Sequence, residues 1–399
     1  MTVAIEQARG ERASESATRP GERPLVVHVI TGLNVGGAER MLLKLVPRLD
    51  ADFAQAVVSL TGRGKLAAEI ERFGIEVYDV GIRSWRSVPF GLWRLLSWLK
   101  RHKPAVVQTW MFHADLLGGL AARMAGIQNV AWNLRATALD QEKTSVRVLQ
   151  KANAFLARYL PRIVVSCGRR VSALHEEHGY PAGKMRVIPN GFNLAVFAPN
   201  EENRRQFRSA IGIPEDSPVV GTVGRLHAMK DYQTFFDAAR VIRSKVPQVR
   251  FLLAGRGLAA GEPSVTRWVG DAGLTDVVHL LGEQRDLAPV YNAMDVFVLS
   301  SACSEGFPNV VGEGMASGIP CVVTDVGDAA WIVGDSGIVV APRDPTGLAD
   351  AVVGLLVGDS HDRVRLGVRA RQRIEQHFGI DRVANEYAEL YREFTRRER

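Results

Sequence analysis

The sequence predicts an α/β protein of two doubly wound domains of similar size, each a parallel sheet covered by helices. Three observations carry that expectation. Short apolar, β-branched runs recur along the chain, helical patterns fill most gaps between them, and the alternation pauses once near the middle. Strands alternating with helices build parallel sheets from right-handed crossovers. A chain of 399 residues also exceeds the ~250–300 residues at which single cores stop growing.

The first series runs "PLVVHVI" (24–30), "FAQAVVSL", "IEVYDV", "AVVQTW", "NVAWNL" and "RIVVS", with helical patterns at 40–49, 65–73 and 116–125 among them. The pause is "VIPNGFNLAVFAPNEENRRQ", where Pro189, Asn190-Gly191 and Pro199 read as a linker. "PVVGTVG", "VRFLLAG", "VVHLLG", "VFVLSS", "PCVVTD" and "GIVVAP" form the second series. The expected organisation is a disordered tail over 1–23, an N-terminal domain over 24–195 and a C-terminal domain over 196–376. An amphipathic helix over 377–399 is free to cross back to the first domain.

Composition narrows the function classes. The net charge of +7 and pI of 9.5 suit an anionic ligand or membrane surface. No window interleaves basic and aromatic residues as a nucleic-acid-binding sheet does, so nucleic acid is not an expected partner. Cys167, Cys303 and Cys321 are an odd, sparse set, which points to a reducing compartment and away from disulfides or a zinc site. The polar start lacks a signal-peptide centre, and no run reaches the ~18–20 apolar residues of a membrane span. The expected location is cytoplasmic, with peripheral contact at the inner face of the membrane.

Ligands of open α/β sheets bind beyond the carboxyl ends of the strands, so the residues that follow strands matter most. "TGLNVGGAERM" places Gly32, Gly36 and Gly37 before a helix N-terminus, which can receive an anion. The spacing matches neither the dinucleotide fingerprint nor the nucleoside-triphosphate loop, and a plain tight turn is the alternative. In "VGRLHAMKDY", Arg225 and Lys230 suit a diphosphate, Arg as a fork and Lys as a point charge. The alternative there is a solvated basic turn. His113 stands at the junction after "AVVQTW", beside Asp115; a lone histidine is also often structural.

The stretch "SEGFPNVVGEGMASGIP" (304–320) holds two carboxylates eight positions apart. Pro308 suits a first helical turn, which predicts a helix over about 309–317 ended by Gly318. Glu305 then lies in the loop before the helix and Glu313 about 6 Å along its axis, both able to face one ligand. Gly306, Gly312 and Gly314 read as room for that ligand against the backbone, since interior glycines cost a helix about 1 kcal/mol each. Backbone N–H groups near Asn309 and Val310 favour a phosphate, and a carboxylate accepts well from a vicinal diol. A surface glutamate plus a capping glutamate is the alternative.

Together these motifs resemble the retaining glycosyltransferases of family 4, with the GT-B fold of two Rossmann-like domains facing across a cleft. Glu305 and Glu313 match the family's E-x7-E pattern. "GGAE", "GRLHAMKD", "IPNGFN" and "LGEQRDLAPVYNAMDVFVLSS" match it too, so the resemblance covers nearly everything after residue 24. It implies transfer of a hexose or N-acetylhexosamine from a UDP- or GDP-linked sugar to a hydroxyl of a saccharide, in polysaccharide or lipid-linked precursor synthesis. It also implies that no metal or other cofactor is needed.

Among the implied roles, Arg225 and Lys230 bind the diphosphate and stabilise the leaving group, and Glu313 accepts from the ribose. Glu305 holds the transferred sugar, with backbone contacts from Gly306, Phe307, Asn309 and Val310. His113 sits near the donor's reacting face, and Gly36 and Gly37 close on the diphosphate. Trp331 departs from the acidic residue that the family often carries there, which touches donor specificity.

The acceptor side is less determined. Arg135, at a strand end, can meet an acidic or phosphorylated acceptor or make a loop salt bridge. In "SWRSVPFGLWRLLSWLKRHKP" (84–104), Trp93, Arg94, Trp98, Lys100 and Arg101 are candidates for contact with an anionic membrane, the alternative being a helix that simply covers the sheet. Two rival functions share the donor site: a nucleotide-sugar epimerase or hydrolase, and a non-enzymatic nucleotide-sugar-binding subunit.

Overall fold

The computed structural model describes residues 23–34, 36–135 and 144–396. They form two compact units, 23–191 with 380–396, and 192–379. The expected tail, Arg23 apart, and the last three residues lie outside the described residues.

The first unit carries β1 (Leu25–Ile30), α1 (Gly37–Leu49), β2 (Ala54–Ser59), α2 (Ala67–Glu71), β3 (Glu76–Asp79), α3 (Val88–His102), β4 (Val106–Trp110), α4 (Phe112–Met124), β5 (Val130–Leu134), α5 (Thr144–Leu156), β6 (Ile163–Ser166), α6 (Arg169–Glu177) and β7 (Met185–Val187). Its seven strands are all parallel, in the order β3-β2-β1-β4-β5-β6-β7. Both faces of such a sheet are covered, so its strands read as continuous apolar runs; β4 and β5 are buried at every position. Strand β7 is the element that the sequence hid: "MRV" has a central arginine and runs directly into "IPN", so no apolar run marks it.

The second unit carries α7 (Glu201–Ala210), β8 (Val219–Val223), α8 (Tyr232–Lys245), β9 (Arg250–Ala254), α9 (Pro263–Asp271), β10 (Val278–Leu280), α10 (Ala288–Asn292), β11 (Val296–Leu299), α11 (Asn309–Ala316), β12 (Cys321–Thr324), α12 (Ala329–Val333), β13 (Ile338–Val340), α13 (Pro345–Val357) and α14 (Ser360–His377). Its sheet is also parallel, ordered β10-β9-β8-β11-β12-β13.

The last helix, α15 (Ile380–Arg396), belongs to the first unit. Its apolar face enters that unit's core: Val383, Tyr387, Tyr391 and Phe394 pack with Met41, Leu42 and Leu45 of α1. The hydroxyls of Tyr387 and Tyr391 both find partners. Asn133 Nδ2 donates to Tyr387 Oη at 2.9 Å, and Tyr391 Oη donates to Gln108 Oε1 at 3.2 Å. No helix among the described residues is long and apolar enough to cross a membrane.

Candidate functional site

Each strand order reverses once, between β1 and β4 and between β8 and β11. The crevice beyond the carboxyl ends at such a switch point is where open α/β sheets bind ligands. The residues expected to meet the donor follow these four strands.

In the second unit, β8 runs out through Gly224 into the exposed Arg225, and a 3-10 turn (Ala228–Lys230) leads into α8. Asp231, at φ 48°, caps α8 by accepting from Thr234 N. Beside it, β11 runs into a loop whose turning point is Ser304, at φ 58°. Two bonds tie the loops together: Ala302 N donates to Met229 O, and Ser300 Oγ donates to Lys230 O, each at 2.9 Å. The result is an ion pair, with Lys230 Nζ 2.5 Å from Glu305 Oε1 and side chains only 13% and 10% exposed. Ser301 Oγ donates to the same oxygen at 2.6 Å. Both donors meet Oε1, and Oε2 accepts from neither.

Helix α11 starts at Asn309, with Pro308 just outside as its N-cap rather than in the first turn. Glu305 lies in the loop before it and Glu313 in its second turn, as the spacing predicts. Glu313 is nearly buried, and its Oε2 accepts from Tyr291 Oη at 3.1 Å. Burial first, and the adjacent carboxylate second, raise the Tyr291 phenol well above its ordinary value, so it remains a donor.

Gly312 serves a different purpose from the one expected: a Cβ there would overlap the Phe192 ring, so it admits that side chain rather than a ligand. At Gly314 a Cβ would meet Phe297 and Cys321 at 3.4–3.6 Å, which are ordinary contact distances. Phe307 is 7% exposed and stacks on Phe192 at 6.1 Å, with Trp331 at 5.8 Å and Phe378 at 5.7 Å. Trp331 therefore reaches the donor loop through Phe307.

Three contributors escaped the sequence reading. Tyr291 was visible only as an aromatic in "PVYNAMD", and Ser301 only as one serine of "LSSACS". Gly327, at φ 62°, is required because a Cβ there would collide with the carbonyl oxygen of Glu305; its position just after "VVTD" was the available signal.

In the first unit, Gly36 is the N-cap of α1. The Glu39 side chain folds over it, so that a Cβ at 36 would strike the carboxylate, whereas Gly37 faces open space. The N-terminus expected to meet an anion already carries one. His113 is the second residue of α4, exposed on one side, and partial desolvation lowers its pKa below the ordinary value. Met111, just before α4, holds φ 74° and ψ 159°. Few residues but glycine adopt that region, and a strained turn of this kind costs about 1–3 kcal/mol. Arg135 makes no salt bridge among the described residues. Its guanidinium lies 4.8 Å from the Trp110 ring centroid and donates to Asn190 Oδ1 and Tyr387 Oη.

The five membrane candidates divide. Trp98 is buried, stacked on His102 at 3.9 Å, and Arg94 is held by Tyr78 Oη and the Asp79 carbonyl. These two point into the unit and leave the set. Trp93, Lys100 and Arg101 are exposed.

Comparison with known proteins agrees with this geometry. The profile described as "Glycosyltransferase Family 4" matches residues 35–196, and "Glycosyl transferases group 1" matches 217–357. The chain is 27% identical over 311 residues to the UDP-Gal:alpha-D-GlcNAc-diphosphoundecaprenol alpha-1,3-galactosyltransferase of Escherichia coli, covering 74% of this chain and 77% of that one. It is 30% identical to the D-inositol 3-phosphate glycosyltransferase of Thermobispora bispora, over 66% and 63% of the two chains. Among solved structures, Anabaena HepE in complex with UDP superposes with a TM-score of 0.80 at 20% identity, over 91% of this chain and 98% of that one. With two Rossmann-like sheets, the paired glutamates and both profiles in register, the chain belongs to glycosyltransferase family 4 and has the GT-B fold.

Proposed function

We propose that the chain transfers a hexose or N-acetylhexosamine from a UDP- or GDP-linked sugar to a hydroxyl of a saccharide acceptor, with retention of configuration and without a metal ion. The observation that carries the reading is the Lys230–Glu305 ion pair, built by two loops at the β8/β11 switch point beside Glu313. Solved Anabaena HepE complexes hold UDP and UDP-glucose, which supports a nucleotide-sugar donor here.

Arg225 and Lys230 neutralise the diphosphate, assisted by the N–H groups at the start of α11. Their positive charge makes a metal unnecessary. Glu313, aimed by Tyr291, accepts from the ribose. Glu305 spends Oε1 on Lys230 and Ser301 and offers Oε2 to the transferred sugar. One carboxylate thus couples the sugar to the cation that holds its leaving group. Gly306, Phe307, Asn309 and Val310 give backbone contacts. His113, neutral at pH 7, serves the donor's reacting face. In the front-face step, the bond from anomeric carbon to phosphate oxygen breaks as the bond to the acceptor oxygen forms, and the released phosphate oxygen takes the acceptor's proton. The E. coli relative's name specifies a diphosphoundecaprenol-linked acceptor, which supports a lipid-linked saccharide here and peripheral contact with an anionic membrane.

Calorimetric titration with UDP, GDP and ADP in chelator tests the donor reading. Saturable binding of UDP or GDP is expected. Failure of all three to bind would overturn it.

A further inference from the structure

We propose that Asp115 is a positioning residue for His113: its carboxyl, bonded to β4 and β5 rather than to its own helix, fixes the turn that carries the imidazole. The proposal deepens the function above and rests on it for the role of His113.

His113 is held by its backbone. Its ring makes no hydrogen bond among the described residues, and it is the one exposed residue between Val106 and Asp115. The imidazole therefore goes where the turn after β4 puts it. That turn includes Met111 at φ 74° and ψ 159°. Such a conformation persists only where the surroundings over-determine it, and outliers of this kind gather at functional sites.

Asp115, Asn133 and Asn153 supply the restraint, and all three are fully buried. Asn133 on β5 grips the turn with both of its backbone groups. Met111 N donates to its carbonyl oxygen at 3.1 Å, and its own N–H donates to Asp115 Oδ1 at 3.4 Å. Thr109 Oγ1, on β4, donates to the same carboxyl oxygen at 2.5 Å. A second anchor comes from the helices. Asn153 Nδ2 on α5 donates to the Phe112 carbonyl at 2.8 Å, and the Phe112 ring stacks on His175 of α6 at 5.9 Å. His113 thus stands between two anchored residues, Phe112 and Asp115.

Helix capping does not account for the acid. An acidic residue in a first helical turn ordinarily serves that helix's own N–H groups, yet both bonds of Asp115 run to the sheet. No cation pairs with it among the described residues, and Oδ2 has no hydrogen-bond partner there. A buried carboxyl so placed is costly. Burial pushes it up to about 8, so at pH 7 it is a neutral acid that acts through Oδ1. The position calls for one oxygen that accepts from two strands.

Histidine-labelled NMR of the full chain tests this, with His113→Gln identifying the His113 signal. In the wild type the imidazole should titrate below its ordinary value, because it is partly desolvated. In Asp115→Ala the relaxed turn should release the ring to water, and the midpoint should rise towards the ordinary value. Asp115→Asn keeps the acceptor oxygen and should titrate as the wild type does. Asn153→Ala leaves Asp115 in place and should raise the midpoint too, which keeps the test decisive if Asp115→Ala does not fold. With UDP-glucose as the donor probe, Asp115→Ala should lower kcat about 10- to 100-fold, leave UDP affinity unchanged and cause no further loss in a His113→Gln chain. Three outcomes would overturn the proposal: a midpoint that rises in neither alanine variant, an asparagine variant that behaves as alanine does, or an equal loss of kcat with and without His113. The titration needs no nucleotide. If UDP fails to bind the wild type, the donor reading falls and the titration still decides the role of Asp115.

Discussion

Glu305→Gln removes one charge while keeping the side chain's shape and its bond from Ser301. In the wild type, Lys230 Nζ lies 2.5 Å from Glu305 Oε1 in surroundings that expose about a tenth of either side chain. A diphosphate that draws on Lys230 must share it with that carboxylate. In Glu305→Gln the ammonium is left wholly to phosphate, so UDP affinity should hold or rise. The transferred sugar, by contrast, loses an anionic acceptor. A charged hydrogen bond contributes about 1.5–3 kcal/mol, so kcat/KM for the intact donor should fall about 10- to 150-fold. Lys230→Met should do the reverse to the nucleotide, weakening UDP by the same factor. Calorimetry with UDP and turnover of the donor, on both single variants and the double, read the two effects apart. The double variant should also recover stability, because each single one strands a charge that is nearly buried. If Glu305→Gln weakens UDP as much as Lys230→Met does, the carboxylate serves the phosphate by orienting Lys230, and the division of roles is wrong. If the two changes are additive in stability within about 0.5 kcal/mol, the pair does not couple.

Arg225→Ala should weaken UDP by about 1.5–3 kcal/mol and by more than Glu313→Ala; calorimetry giving the opposite order would reassign the diphosphate contact. Gly312→Ala should cost about 1–3 kcal/mol in denaturant unfolding through overlap with Phe192, and a neutral or stabilising result would restore the reading of this glycine as ligand space. Burial raises Asp115 from 3.8 to about 8, so between those values the folded carboxyl keeps a proton that the unfolded one has released. Its contribution to stability is full below about pH 4 and is lost towards pH 8, at no more than about 1.4 kcal/mol per pH unit. The melting temperature of Asp115→Asn relative to wild type should therefore climb from pH 5 to pH 8, and a pH-independent difference would refute the buried neutral acid.

What could be read from sequence divides by the range of the interaction. Twelve strands announced themselves as short apolar runs, a local property that is clearest where a parallel strand is buried on both faces, as in β4 and β5. Strand β7 did not: β10 and β13 are three-residue edge strands too, but they lie in longer apolar runs, whereas Met185–Val187 has a central arginine and runs almost at once into Pro189. Its pairing with β6 is what makes it a strand. Glu305 and Glu313 were legible from their eight-residue spacing, since loop and helix geometry place them without help from elsewhere. The pairing of Lys230 with Glu305 spans 75 positions and leaves no local trace.

The glycines of α11 show why the long-range part matters for chemistry as well as fold. Gly312 was read as space for a ligand because a helix has no internal use for it. The space is filled by Phe192, which stacks in turn on Phe307, two residues beyond Glu305. On the other side, Gly327 lets α12's leading turn lie against the Glu305 carbonyl, and Asp328 N donates to the Gly306 carbonyl at 2.9 Å. The Glu305 loop is thus clamped between an aromatic layer and a backbone contact. The position of Glu305 depends on Phe192, Gly327 and Asp328, none of them adjacent to it in sequence. A loop fixed this tightly keeps Oε1 on Lys230 and Ser301, and under the proposed function Oε2 is the atom offered to the transferred sugar.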